Sequence, residues 1–321
     1  MHKRFVNHCT IDLTLIPDGP MLIKSGKEGA DPTKPDMEFV ETYHAGGRSI
    51  YLPGSSLKGA IRAHAERIVR TVGRDKRDPN NSNFLWANDP LSDKYDYLKT
   101  KDGKDLPAPD IYKLSSFTDQ LFGNTSIASR LRIEDAYPDK SQPLKIEERN
   151  GVAIDRVFGS VAVGPFNYQV CTAGEFKTKI HLKNFTLSQL GLIGLVLRDL
   201  DDGWFGLGFA KSRGLGTVQV KLNQAVVQYP GCVLSEDKRQ IQAIGSQKQW
   251  NHTYLLGAGE FLADEDAQLY GFSKPDYQDT PVAAQEMNLG FGVQLTWRDG
   301  TVTDLFERAV KSWSSLLGVS R

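Results

Sequence analysis

The first 222 residues alternate between two hydrophobic periods, and the order of that alternation restricts the fold more than any other property of the chain. Residues 5–16 alternate apolar and polar, with Ile11, Leu13 and Leu15 on one side, which is the period of a half-buried strand. Pro17, Gly19 and Pro20 stop it. Residues 56–72 then place Leu57, Ile61, Ala65 and Ile68 at helical spacing, with His64 beside them. A second strand is predicted over 130–136, a third over 168–182 with Lys177 and Lys179 on its polar side, and a fourth over 217–222. Thr186 or Ser188 is placed to cap a helix over 189–200. The apolar stretches 152–157 and 161–163 predict a projecting β-hairpin before the third strand. The order β, α, β, hairpin, β, α, β is that of two split βαβ halves, an α+β, ferredoxin-like (RRM-like) core. Some modules with this topology turn their sheet to RNA, but topology by itself assigns no function.

Three segments stand outside that core. Residues 21–49 form a polar, Gly/Pro-punctuated excursion, too long for a simple connection and so expected to be functional. Residues 73–116 read as an insertion lobe of low apolar content, partly disordered, which Phe84 and Trp86 would pin to the body. Residues 223–321 make a C-terminal extension with strands near 224–229 and 289–297 and a helix over 305–317. It either extends the sheet or docks on a neighbouring subunit.

Composition narrows the function classes. The three cysteines, Cys9, Cys171 and Cys232, are far apart and form no CxxC pair, so neither a disulfide framework nor a zinc site is indicated and a reducing cytoplasm is expected. No run of about eighteen apolar residues exists, which excludes an ordinary membrane-spanning helix. The 39 basic and 39 acidic residues cancel. A nucleic-acid binder usually carries a basic excess, so an RNA interface requires the cations to gather on one surface. Acids do cluster elsewhere, at Asp199, Asp201, Asp202 and 264–266.

Two motifs carry chemistry. PGSSLKG at 53–59 reads as a turn into a helix, with Ser55 and Ser56 suited to the N-cap and with Lys58 and Arg62 four residues apart on one face. A helix start offers unpaired N–H groups and partial positive charge, a seat for phosphate; the alternative is an ordinary capped helix with solvated charges. At 206–216, the pairs Gly206/Gly208 and Gly214/Gly216 flank Lys211, Ser212 and Arg213. Glycines let a backbone approach a ligand closely, and the central residues supply donors to phosphate or ribose. The segment fits neither the dinucleotide fingerprint nor the P-loop.

Together these motifs resemble the RAMP superfamily of CRISPR-associated RNA-binding proteins, and PGSSLKG is most similar to the backbone subunits of type III effector complexes; the insertion and the long extension point to a diverged member from an arrangement similar to subtype III-D. Leu121 to Gly123, residues 129–136 and residues 152–156 agree in order and spacing. The resemblance covers residues 5–222. It implies a subunit that binds crRNA, positions complementary target RNA and works beside homologous CRISPR effector subunits in antiviral defence, with no membrane.

The resemblance also implies roles for residues. Ser55, Ser56, Lys58, Arg62, Arg156, Gly206, Gly208, Lys211, Ser212, Arg213 and Gly214 would bind RNA. The hairpin 143–167 would be a thumb that wedges into the guide–target duplex through Phe158, Val161, Val163 and Phe166. In the family, an aspartate in the excursion cuts target RNA. Aligning the apolar pair Phe39–Val40 puts Asp36 in that role, with Asp31 as runner-up and Glu38 and Glu28 behind them. Asp36 would act with Mg2+ or Mn2+, since carboxylate oxygens suit hard cations. The chain would then be a metal-dependent endoribonuclease acting within a complex. The competing readings are a catalytically silent structural subunit and a stand-alone crRNA-processing endoribonuclease, which would use a histidine or tyrosine. His64 lies at an apolar-face position, where a histidine is usually packed into the core.

Overall fold

A computed structural model describes residues 4–26, 35–44, 46–78, 85–89 and 95–317 of the chain. In chain order the core holds β1 (His8–Pro17), the short hairpin β2 (Glu41–His44) and β3 (Gly47–Ile50), and α1 (Gly54–Val72). Two short helices follow, α2 (Ala108–Leu114) and α3 (Phe117–Phe122), then β4 (Leu131–Ile133) and β5 (Tyr137–Pro138). The long strands β6 (Lys145–Ile154) and β7 (Val161–Ala173) form the projecting hairpin, and β8 (Phe176–Lys183), α4 (Leu187–Asp201) and β9 (Val218–Tyr229) complete the core. The extension adds β10 (Cys232–Leu234), β11 (Gln240–Ala243), β12 (Gln249–Asn251), β13 (Tyr254–Leu256), α5 (Asp264–Tyr270), β14 (Tyr277–Asp279), β15 (Gln285–Glu286), β16 (Val293–Arg298), α6 (Val302–Lys311) and α7 (Trp313–Leu317).

The main sheet runs β15-β16-β9-β1-β8-β4 with every pair antiparallel. Its central four strands have the order fourth, first, third, second of the core, which the crossover helices α1 and α4 enforce in a ferredoxin-like fold. Alternation does the rest. Cys9, Ile11, Leu13 and Leu15 of β1 and Phe176, Ile180 and Leu182 of β8 are buried against the helices, while the residues between them point to the other face.

Two sequence-based boundaries move. The third strand is not continuous over 168–182: the chain turns at Gly174 and Glu175, so residues up to Ala173 belong to the hairpin strand β7 and only β8 joins the sheet. The break at 222 falls inside β9, where Asn223 bulges out between the pairs Asp12/Gln224 and Leu13/Leu222. Its side-chain amide donates to Asp12 Oδ1 and Thr14 Oγ1, both at 3.0 Å, which satisfies the irregularity. The extension therefore begins beyond Tyr229. It lengthens the sheet through β16 and packs α6 onto α4, where Gly191 is needed because a Cβ would lie 2.9 Å from the Ala309 backbone.

The capping expectation resolves to Thr186. Its hydroxyl accepts from the Gln189 N–H, and the Gln189 side chain accepts in return from the Thr186 N–H. The insertion meets the main core through Leu85 and Ala87; Trp86 is buried with its ring edge-on to Tyr97 of the insertion itself, and Phe84 lies outside the described residues. The insertion also forms a second small core that sequence did not suggest: Leu98, Ile111 and Tyr112 pack with Ala258, Ala267 and Phe272 of the extension. Arg130 lies over the Tyr112 ring at 4.3 Å and donates to the Asn184 carbonyl. Among the described residues no helix is long and apolar enough to cross a membrane.

Close backbone packing makes a stability prediction. A Cβ at Gly208, whose φ is +78°, would lie 2.2 Å from the Leu22 carbonyl oxygen, whereas Gly214, φ +83°, faces open space. Gly208→Ala should cost about 3 kcal/mol and Gly214→Ala about 1 kcal/mol, since only the first adds a clash to the left-handed strain. Thermal unfolding of the two variants beside the parent chain measures the difference.

Candidate nucleic-acid interface

The C-terminal ends of β1 and β4 and the starts of β8 and β9 lie at one end of the sheet, because all neighbours are antiparallel. Both motifs and the excursion therefore meet there, and a continuous strip of backbone hydrogen bonds ties them. Gly216 N–H donates to the Pro20 carbonyl at 2.9 Å and Phe209 N–H to Leu22 at 2.7 Å. Val40 N–H reaches Ile23 at 2.9 Å, and Tyr51 N–H reaches Val40 at 3.3 Å. Leu52 and Ala136 then exchange two bonds of 2.9 and 2.8 Å just before α1 begins. Phe39, of the apolar pair used to align the loop, is buried in the core beneath this strip.

The start of α1 departs from expectation. The cap position is Pro53, which offers no side-chain bond, so Ser55 and Ser56 are not the N-cap; they stand exposed in the first turn. Gly54 N–H donates to Asp135 Oδ1 at 2.7 Å, and a Cβ on Gly54 would lie 2.3 Å from the Ile133 carbonyl, which is why the helix can begin so close to β4. Lys58 Nζ donates to Ser129 Oγ at 2.8 Å, and its pKa is lowered by burial and by the neighbouring Arg62 charge. Arg62 turns inward. Its guanidinium donates to Glu66, to the Gly123 carbonyl and, at 2.8 Å, to Asp119, whose side chain is 0% exposed. The group that sequence offered to RNA thus clamps α3 to α1.

The glycine loop divides in the same way. Gly206, Gly208 and Gly216 face the chain itself: a Cβ on Gly216 would lie 2.1 Å from the Leu207 carbonyl, and one on Gly206 would lie 3.1 Å from that of Gly216. At Gly206 and Gly208 the space a side chain would take is therefore filled by protein backbone. Lys211, Ser212, Arg213 and Gly214 are exposed on a single 3₁₀ turn bracketed by left-handed Ala210 (φ 56°) and Gly214 (φ 83°). Arg213 sits over the Phe209 ring at 5.0 Å, which holds its charge at the rim of the loop.

The thumb hairpin projects from the same end. At its tip the Asp155 carboxylate accepts the N–H groups of Val157 and Phe158, both at 2.8 Å, so it closes the turn instead of pairing with the exposed Arg156. Phe158 is 84% exposed, and Val161 and Val163 are also exposed. Phe166 is not: its ring lies over Gly151, where a Cβ would be 2.6 Å away, so it packs on its own hairpin. The wedge candidates left out Val152, Ile154 and Val157, which are exposed on the same finger; the alternation of Val152 and Ile154 was the available signal.

Asp36 is exposed and lies beside the middle of the thumb strand β7. Its Oδ2 accepts the Asn167 N–H at 2.9 Å, and the flanking Met37 exchanges backbone bonds of 3.1 and 3.0 Å with Asn167 and Gln169. Asp31 and Glu28 lie outside the described residues. Among the described residues no group of three His, Cys, Asp or Glu side chains is placed to hold a metal. A second feature legible only in three dimensions stands beside α1: the exposed His44 ring stacks on Tyr137 at 3.6 Å, and Tyr137 stacks on Tyr51 at 5.9 Å. His64 is buried, bonded to Asp199 at 2.7 Å and stacked on Phe205, and so is out of reach of a substrate.

The fold and this end surface define a ferredoxin-like protein with an exposed cationic turn, a projecting apolar hairpin and a loop carboxylate, arranged around one sheet end. The chain belongs to the RAMP superfamily, whose family model matches residues 14–219. That membership implies a CRISPR-related RNA-binding role, since RAMP proteins generally work in CRISPR RNA–protein complexes. No curated protein matches the chain.

The division of cations predicts two phenotypes. Lys211→Ala and Arg213→Ala should each weaken RNA binding and lower the salt slope by about 0.7, the single-strand value per phosphate contact, with the melting temperature unchanged. Arg62→Ala should instead destabilise the fold by about 2 kcal/mol, because it strands the buried Asp119 carboxylate. Filter binding across a salt series, run beside thermal unfolding, separates the two.

Proposed function

We propose that the chain is a crRNA-binding backbone subunit of a type III CRISPR ribonucleoprotein, and that it cuts bound target RNA with Asp36. The observation that carries this reading is the junction of Asp36 with the thumb. The excursion carboxylate is bonded to Asn167, midway along a hairpin whose tip presents Phe158, Val161 and Val163. Apolar side chains of this kind unstack a base step. An RNA strand lying along the hairpin would meet both the apolar tip and the carboxylate, which stand roughly 20 Å apart by the six residues from Val161 to Asn167. The exposed turn 211–214 and the start of α1, at the same sheet end, supply cationic and N–H contacts for guide phosphates. Guide–target pairing would read the sequence while the protein reads shape and charge, as in other RNA-guided systems.

The donor set suits one kind of metal. A single exposed carboxylate does not make a protein-built metal cage, but Mg2+ and Mn2+ accept one or two carboxylates and complete their shell with phosphate oxygens and water. Asp36 would hold such an ion, which supplies charge neutralisation on the scissile phosphate. The chain's own part is to fix the carboxylate by the Asn167 N–H and to hold the loop against β7. Burial of His64 on Asp199 weighs against a histidine-based processing enzyme at that position.

In the assembled complex, Asp36→Ala should abolish cutting at one target position, by at least about 100-fold, with guide binding intact, and chelation of divalent ions should reproduce the loss. Asp31→Ala is the internal control. Loss with Asp31→Ala alone would move the assignment within the loop. A cut that survives both substitutions would refute the loop assignment, and absence of any cut at this subunit's position would establish the silent structural role. Sequencing of co-purified RNA tests the guide assignment: repeat-derived tags support it, and an RNA-free native assembly overturns it.

A further inference from the structure

The face of the main sheet opposite the helices carries a second, separate constellation. Residues directly opposed across antiparallel strands share a face. By register, His8 of β1 faces Lys183, Thr10 faces His181, and Asp12 faces Lys179; Arg132 of β4 continues the His181 row. The lysines and Arg132 are exposed, and His8, Thr10 and His181 are partly buried, the His181 side chain keeping 17% of its surface exposed. The two imidazoles stack, with centroids 5.5 Å apart and planes 27° apart. Thr10 Oγ1 lies 3.5 Å from His8 Nδ1 and 3.3 Å from His181 Nδ1, and His181 Nε2 is held by Glu134 at 2.9 Å. Phe5, 52% exposed, borders the stack 5.6 Å from His8.

Charge favours one occupant. Cations on this face are Arg132, Lys177, Lys179, Lys183, Lys221 and Arg298, against Asp12, Glu134 and Asp139. Each acid is paired, Arg132 with Glu134 at 2.9 Å, Lys177 with Asp139 at 2.6 Å and Lys179 with Asp12 at 3.7 Å, so Lys183, Lys221 and Arg298 are the local excess of positive charge in a chain that is neutral as a whole. Apolar side chains are scarce on it, so a protein partner would bury little hydrophobic area there, whereas a polyanion with aromatic bases finds both lysines and a fixed ring platform. His8 is nine residues up β1 from Pro17, about 30 Å at 3.3 Å per residue, which separates the ring pair and Lys183 from the strand-end interface.

We propose that this open sheet face is a second surface for single-stranded RNA, with a base stacked on the His8–His181 pair and phosphates met by Lys179, Lys183 and Arg132. The proposal rests on the reading of the chain as an RNA-binding subunit and extends the RNA path beyond the sheet end. Because Thr10 and Glu134 already fix the rings, a base meets a surface that needs no reordering.

The test uses the full chain with a long and a short fluorescein-labelled oligouridylate. The Arg132→Ala/Lys183→Ala variant should bind the long oligomer about tenfold more weakly at low salt, with the salt slope reduced by about 1.4 for two lost contacts. His181→Ala should lose about tenfold, and His181→Phe, which keeps a ring, should recover most of it. Binding of the short oligomer should stay at the parent value in all three. Parent affinity and slope for the Arg132/Lys183 variant would overturn the proposal if Lys211→Ala still weakens binding, because RNA then uses the strand end alone. If Lys211→Ala is inert and the Arg132/Lys183 variant is not, the sheet face stands and the strand-end assignment falls. Lys183 protected from acetylation in an RNA-depleted assembly would also overturn it, since a protein neighbour then covers the face.

Discussion

The carbonyls of Pro20 and Leu22 hold the functional end of this molecule together. Each accepts an N–H from the glycine loop, and the second does so only because Gly208 has no Cβ to strike it. This contact fixes the exit of β1 against the entry of β9. From there the strip passes through Ile23, Val40 and Tyr51 to the start of α1, so the excursion is a seam joining the two motifs and not an independent loop. The position of Asp36 follows, since Met37, the next residue, is bonded into the thumb strand on one side while Phe39 is buried on the other.

That seam explains which parts were legible in sequence. Strand and helix periods were plain because β1, β8 and α1 each have one buried face, and the order of elements then determined the topology. The glycines were legible as special but not as to purpose. A residue without a Cβ signals close approach, and sequence does not say whether the approaching group is a ligand or the chain's own carbonyl; here Leu22 and Leu207 supplied the answer. Arg62 failed for a related reason. Helical spacing put it beside Lys58, but its partner Asp119 comes from α3, an element that periodicity left unremarked. The break at Gly174 was invisible because alternation continues across the turn in both strands, and the His44–Tyr137 stack because its rings come from separate segments.

The insertion and the extension look unrelated in sequence and are energetically linked in the structure. Leu98, Ile111 and Tyr112 of the insertion meet Ala258, Ala267 and Phe272 of the extension and enclose one small core. Asp276, on the same extension, receives the N–H groups of Leu187 and Gly259, and burial pushes its pKa up to about 7. It thereby ties the extension to the first turn of α4, the helix that leads into the glycine loop. Truncating the extension would remove both the partner of the insertion and an acceptor at the start of a core helix.

Overall neutrality is the strongest sequence-level objection to an RNA interface, and the structure weakens it by where the acids lie. Among the described residues, Glu66, Asp119, Asp199 and Asp276 are buried, against Arg130 alone of the arginines and lysines. Glu66 and Asp119 bind the half-exposed Arg62, and Asp199 binds His64 and the more exposed Arg198. A carboxylate beneath the surface neutralises its own partner and is screened from a distant phosphate by the protein around it. The cations left at the rim, Lys211 and Arg213 at the sheet end and Lys183 on the open face, then act on an approaching polyanion at short range. Net charge governs long-range steering; contact affinity follows the charges that reach solvent, and those are more basic than the composition. An RNA-binding subunit of this kind would associate without strong electrostatic acceleration and depend on the fixed geometry of its sheet end to retain what it meets.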